Sequence, residues 1–400
     1  MKDKWNIVFV ILLVIFTLGL VFIGSQSKVA DVYENNETNI KKSKNMLSMM
    51  LETEVDSGNY EMTTKHSWPI GGYKFNSELS KCENGGELAW DEENKRVLMS
   101  GNVSDKCYVY FDKVLIKISA SYSNFSDSGF TINAKMEDES LNINDYFTTF
   151  YYSVDDGATY VNSSSNSYAV SNLSGDIYKV KVYAEGSEYG KSEIYSGNIA
   201  NNIRFIFENG EFGSNFPIND SNSNLYYIND VILGNNIVFY SNAGPIINGD
   251  IFLASYGNIS FKGLIFNYND SFSILSKNGD ISLTDCTIQN YKNIFLGSDY
   301  GSINFRSNTF ENLSGSVTIN INNASVPNFY NCMFRNSNVV IKIVDNNSSF
   351  VINSLSDLPE NAKNFLQSFI DTTLLDSSVI SFDFYGFKFS YQEAQSYFSS

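Results

Sequence analysis

Residues 257–336 carry one pattern of hydrophobic and polar positions four times over. The copies read Ile259-Ser-Phe261-Lys-Gly263-Leu264-Ile-Phe266, Ile281-Ser-Leu283-Thr-Asp285-Cys286-Thr-Ile288, Ile303-Asn-Phe305-Arg-Ser307-Asn308-Thr-Phe310 and Pro327-Asn-Phe329-Tyr-Asn331-Cys332-Met-Phe334. Successive copies start 22, 22 and 24 residues apart. Within each copy, large apolar residues alternate with Ser, Thr, Asn, Lys or Arg, the period-two signature of a strand with one buried face. The fifth residue is Gly263, Asp285, Ser307 or Asn331. Gly, Asp and Asn take a left-handed backbone at little cost, so this position reads as a sharp corner. A second apolar run fills the rest of each turn, at 251–253, 272–275, 294–296, 317–321 and 339–344. Three short strands and three bends in ~22 residues predict a coil whose rungs stack, with Phe261, Leu283, Phe305 and Phe329 piled in one inward column.

The cadence Ile-x-Phe-x-x-Cys-x-Phe-x-Asn, with Asn290, Asn312 and Asn336 two residues past the last large apolar one, resembles the right-handed parallel β-helix family, the pectate-lyase-like proteins. The likeness covers roughly 237–345, beginning with a weaker copy at Ile237-Val-Phe239. It implies the fold. Residues 201–236 are expected to cover the first rung, because an open rung exposes unpaired strand edges. At the other end, a helix over 358–371 with Phe365, Leu366, Phe369 and Ile370 as its apolar stripe, and an aromatic tail at 380–389, are expected to close the last coil.

Towards the N-terminus the pattern changes. Residues 6–23 form an uncharged apolar run behind Lys2 and Lys4, long enough to cross a bilayer and oriented with the short tail inside. This predicts an anchor or signal at 1–27, and a single-pass cell-membrane protein with its C-terminal ectodomain outside (secreted if the segment is cleaved). The membrane is then one partner. Ile40, Met46, Leu47, Met50 and Leu51 predict an amphipathic helix over 38–54 within a helical stalk at 28–66. His66, the single histidine, sits in this connector, and one histidine makes no site.

Residues 67–113 predict a small two-cysteine β module, with a hairpin from 88–90 and 96–99 and a further strand at 107–111. The segment Cys82-Glu-Asn-Gly85-Gly86 … Ser104-Asp-Lys-Cys107-Tyr-Val-Tyr-Phe111 resembles one that recurs in surface-anchored proteins of Gram-positive-type bacteria. An oxidising compartment and a module too small for a large core predict a Cys82–Cys107 disulfide. Residues 114–200 carry short β runs; Tyr151-Tyr-Ser-Val-Asp-Asp-Gly157 and Asn172-Leu-Ser-Gly175-Asp-Ile-Tyr178 resemble the late strands of a fibronectin type III or immunoglobulin-like sandwich. The chain thus reads as mainly β: N-terminal transmembrane helix and stalk, small disulfide β module, β-sandwich, then a right-handed parallel β-helix with end caps at 201–400.

Composition narrows function more than fold. A formal net charge of −17 leaves no basic stripe to neutralise phosphates, which argues against nucleic acid. Cys286 and Cys332 fall in one inward column two rungs apart, about 10 Å, beyond the reach of a disulfide, and are expected to be free buried thiols. Relatives of this fold that cleave acidic glycans line one face with carboxylates, often holding Ca²⁺. Here the outward positions of the best strands are Ser260/Lys262, Ser282/Thr284, Asn304/Arg306 and Asn328/Tyr330, with no stacked acids. The reading is a non-catalytic surface protein presenting its β-helix for adhesion or for glycan or host-surface binding, with Lys262, Arg306 and Tyr330 as glycan contacts, no catalytic residue, no metal and no cofactor. A polysaccharide lyase or glycoside hydrolase on the same scaffold, and a purely structural envelope component, are the alternatives.

Overall fold

The computed structural model describes the strand backbone at 28–29, 48–55 and 58–62, and residues 73–399 apart from 92, 94–95, 102–104, 114, 188, 321–326 and 346–349. The apolar run at 6–23 and the first part of the expected stalk, with His66, lie outside the described residues. Among the described residues no helix is long and apolar enough to cross a membrane. The chain forms two compact units, Met1–Lys117 with Glu185–Glu193, and Ile118–Ala184 with Ile194–Ser400.

In the first unit, a four-stranded sheet runs in the order Lys28–Val29, Gly58–Met62, Arg96–Gly101, Glu87–Asp91, and a three-stranded sheet in the order Ser48–Val55, Asp105–Lys113, Tyr73–Cys82. Ser48–Val55 corrects the sequence reading, which ends a stalk helix there. Met49, Leu51, Thr53 and Val55 also alternate at period two, and eight residues of this strand pair antiparallel with Asp105–Lys113. That distant partner overrides the local helical spacing. Cys82 lies opposite Cys107 in the sheet, and the two form a disulfide. The bond borders a small core of Val97, Val109 and Phe111 with Phe75, Leu88 and Trp90 packed on it.

The second unit is organised by the repeat. Each turn contributes one strand to each of three sheets, in which successive rungs pair parallel: a six-stranded sheet containing Ile259–Lys262, a seven-stranded sheet containing Ile265–Asn267, and a long sheet containing Ser271–Ser276. Register is one to one. Ile237, Ile259, Ile281 and Ile303 pair in series, as do Phe239, Phe261, Leu283, Phe305 and Phe329. These side chains are buried, with ring centroids 5.1 Å apart for Phe239–Phe261 and 4.2 Å for Phe305–Phe329. The corner residues are left-handed, with φ of 70° at Gly263, 53° at Asp285, 55° at Ser307 and 52° at Asn331. At Gly263 the glycine is required twice over, since a Cβ would also lie 2.1 Å from the Ser241 carbonyl oxygen. Asn290, Asn312 and Asn336 turn the next corner, at φ of 69°, 53° and 48°.

Polar groups at the bends are satisfied along the stack. Side-chain oxygens of Asn201, Asn235, Asn258 and Asp280 accept from the backbone N–H of Asn235, Asn258, Asp280 and Ser302 in turn, at 2.9, 2.9, 2.8 and 2.7 Å. Ser276 and Ser298, both buried, donate to the carbonyls of Gly257 and Gly279. Such ladders let a sharp bend enter the interior without orphaned amides.

The ends differ from the sequence reading. Arg204–Ile206 and Glu211–Gly213 are themselves a rung, pairing parallel with Ile237–Tyr240 and Ile246–Asn248, so 201–236 does not simply cover the coil. An antiparallel hairpin of Pro217–Asn219 and Leu225–Tyr227 is inserted in that rung, burying Phe216, Ile218 and Ile228. Nor is 114–200 a separate domain. Ile118–Ser126, Gly129–Met136 and Ser167–Val170 form one sheet; Val161–Ser163, Thr149–Ser153, Asp176–Gly186 and Tyr195–Asn201 are the first strands of the long sheet. Tyr195–Asn201 pairs antiparallel with Asp176–Gly186 on one edge and parallel with Val231–Leu233 on the other. Ile177 and Ala200 join the solenoid core, and buried Asn201 bridges the two parts, donating to the Ser126 carbonyl at 2.9 Å.

At the far end Glu360–Thr372 (α1) takes the place of the next strand of the six-stranded sheet. Phe365 and Phe369 set their rings 5.8 and 5.5 Å from Phe329, and Thr372 Oγ1 donates to the Phe329 carbonyl at 2.9 Å. Leu374–Asp376 and Val379–Phe384 then extend the other two sheets, and Phe387–Ser390 folds back antiparallel before Tyr391–Ser399 (α2).

Candidate functional site

The strands of the six-stranded sheet end in an outward column, because the period-two alternation that buries Phe239, Phe261 and Phe305 turns every following residue to solvent. In register this column reads Ile206, Tyr240, Lys262, Thr284, Arg306, Tyr330. The neighbouring column on the same face reads Arg204, Val238, Ser260, Ser282, Asn304, Asn328, so neither contains a carboxylate.

The cations lie over rings. The Arg204 guanidinium is 3.9 Å from the centroid of Tyr240, Lys262 Nζ is 5.8 Å from the same ring, and the Arg306 guanidinium is 5.8 Å from Tyr330. Among the described residues none of the three takes part in an ion pair. A guanidinium held over an aromatic face keeps its N–H edge directed outward, where a carboxylate or sulfate can take a bidentate pair. The structure therefore places Lys262, Arg306 and Tyr330 in one column, with Thr284 between the cations.

Two members of this surface escape the sequence reading. Tyr240 occupies the same repeat position as Lys262 in the weak first copy, and Arg204 lies one rung earlier. The inserted hairpin stretches that spacing to 34 residues, from Arg204 to Val238, which hides the rung from a search at period ~22.

The remaining candidate chemistry is structural. On the seven-stranded sheet the outward Glu311 and Asp376 flank Arg335, 3.8 and 3.4 Å from its guanidinium nitrogens. Asp280 accepts from Ser302, and Asp285 turns a corner. No three His, Cys, Asp or Glu side chains gather closely enough to hold a metal ion among the described residues. Cys286 and Cys332 are free and buried, and burial pushes each thiol up to about 11. Asn308 stands between them in the column, accepting from the Cys286 amide at 2.9 Å and donating to the Leu283 carbonyl at 2.8 Å. No protein-family model matches this chain, and no curated protein matches it.

Proposed function

We propose that this chain is a non-catalytic cell-surface protein whose solenoid displays the outer face of the six-stranded sheet to acidic glycans, with residues 1–27 as its membrane anchor. The observation that carries the reading is the column Tyr240–Lys262–Thr284–Arg306–Tyr330, carboxylate-free and cationic on a chain of net charge −17. On so acidic a molecule, a local cationic strip interleaved with aromatic rings is where an extended polyanion meets least repulsion. Cations supply charge, and tyrosine rings supply flat faces for sugar C–H groups.

The finer identities belong to the same proposal. Seven strands split between a three-stranded and a four-stranded layer support a fibronectin type III-like sandwich acting as a spacer fused to the coil. The left-handed Asn corners support kinship with pectate-lyase-like solenoids.

Binding of the full-length chain to polyuronates and sulfated glycans, measured by calorimetry at two salt concentrations, tests the reading. Affinity is expected to fall as salt rises, and Lys262→Ala with Arg306→Ala to weaken it at least about tenfold, near 1.4 kcal/mol. Acidic glycans that show no binding, or binding untouched by the double substitution, would refute it. Release of unsaturated or reducing-end products would favour a lyase or hydrolase instead.

A further inference from the structure

The six-stranded sheet finishes differently at its two ends. Its far end is closed by α1, but its first strand, Arg204–Ile206, pairs only with Ile237–Tyr240. Val238 N–H donates to the Ile203 carbonyl at 3.0 Å and Phe207 N–H to the Tyr240 carbonyl at 2.9 Å, so residues 203, 205 and 207 direct their backbone groups to the next rung. Strand alternation then aims the N–H and C=O of Arg204, Ile206 and Glu208 at the open side. On that side lies a groove of about 370 Å³, lined by Phe205, Phe207, Phe212, Ile218 and Leu225. Phe216, which leads into the inserted hairpin, sets its ring 5.5 Å from Phe207 and 5.7 Å from Phe239. The space over the end of the core is therefore taken, and the groove admits a single extended chain.

Side chains along this edge limit what can join it. Arg204, Ile206 and Glu208 are exposed, Ile206 at 71 %, while Phe205 and Phe207 are buried. Among the described residues neither Arg204 nor Glu208 takes part in an ion pair. Charges on a bare edge keep most strands from adding to it. Here they are unlike and flank an apolar residue, so one pattern of strand is favoured over the rest. Antiparallel addition, more stable per residue than parallel, sets a cation opposite Glu208, an apolar residue opposite Ile206 and an anion opposite Arg204. Read in the incoming strand's own direction, that is basic-x-apolar-x-acidic. The x positions face inward onto Phe205 and Phe207, and apolar residues suit them.

We infer that this edge docks an extended segment of a partner protein with the pattern basic-apolar-apolar-apolar-acidic, added antiparallel to residues 204–208 as a further strand. Backbone bonds at Arg204, Ile206 and Glu208 supply the hold. The two charge pairs and the inward apolar residues supply the choice. Docking here uses the edge of the first strand and requires neither Lys262 nor Arg306, so it stands apart from glycan binding on the outer column.

The edge has this same pattern itself, so a peptide with blocked ends and the sequence of residues 203–209, Ile-Arg-Phe-Ile-Phe-Glu-Asn, serves as the probe. Fluorescence anisotropy with the full-length chain is expected to show saturable binding of this peptide. Its charge-exchanged form, Ile-Glu-Phe-Ile-Phe-Arg-Asn, is expected to bind at least about tenfold more weakly. Arg204→Glu with Glu208→Arg in the protein is expected to reverse that preference. Ile206→Pro removes one open N–H from an edge strand, where proline is tolerated, and is expected to abolish binding of both peptides. Circular dichroism and melting temperature confirm that each variant folds. Absence of binding, equal binding of the two peptides, or a preference that the exchanged protein does not reverse would overturn the inference. A chain that dimerises in sedimentation, with the dimer dissociated by the peptide, would also overturn it, by making a second copy the occupant.

Discussion

Asn308 shows what single positions do in a column of hydrophobic rungs. It is 1 % exposed, yet both ends of its amide are engaged, and the Cys286 and Leu283 backbones depend on it. Asn308→Ala is expected to cost about 2–4 kcal/mol, combining lost hydrogen bonds with a small cavity, readable as a lower urea midpoint at unchanged slope. The thiols on either side are closed to reagents. Native protein is expected to show no reaction with a thiol probe at pH 8, and two thiols once unfolded; a fast native thiol would contradict the burial of Cys286 and Cys332. The sign of their pH linkage follows. Their folded values, about 11, exceed the ordinary 9.0, so their contribution to stability is complete below pH 9 and drains away as pH rises through 11.

Elements at the ends of the coil carry a second kind of information. Alternation announced the rungs, because each strand's buried face is written in its own residues. The stalk helix failed for the opposite reason: Ser48–Val55 is a strand by virtue of a partner 50 to 64 residues away, and its own spacing suits either structure. The C-terminal cap was legible as a helix, since Phe365, Leu366 and Phe369 repeat at helical spacing. That it replaces a strand of one particular sheet was not. Phe369 touches Phe329, Phe334, Phe365 and Phe382, and Phe369→Ala is expected to cost about 3–5 kcal/mol in equilibrium unfolding. Removing residues 355–400 would bare the edges of Met333–Arg335 and Asn338–Val344, and sedimentation is expected to show self-association of the truncated chain. A monodisperse truncated monomer would contradict a capping role.

Over the whole second unit, the strands of 118–201 and the solenoid share one sheet, and Ile177 and Ala200 reach into the solenoid core. Local patterns divide them near residue 200 because turn residues cluster there, and edge-to-edge pairing leaves no trace in a strand's own sequence. Scanning calorimetry of residues 118–400 is therefore expected to give one cooperative transition; two separate peaks would mean that Tyr195–Asn201 does not couple them. The cationic column was half legible. Lys262 and Arg306 could be placed by counting rungs and Tyr240 ends the weak first copy, whereas Arg204, on the neighbouring column, needed the hairpin-bearing rung to be recognised as a rung.

Stacking at a fixed pitch also turns the six-stranded sheet into a graduated scale. With strands about 4.8 Å apart, Lys262 and Arg306 mark off about 10 Å along the axis, with Thr284 at the midpoint. A polymer whose negative groups recur at that interval could be read at both marks without bending, while one with another period would have to slip or buckle. Selectivity for ligand periodicity would then come from backbone hydrogen bonding, in a part of the molecule no ligand touches.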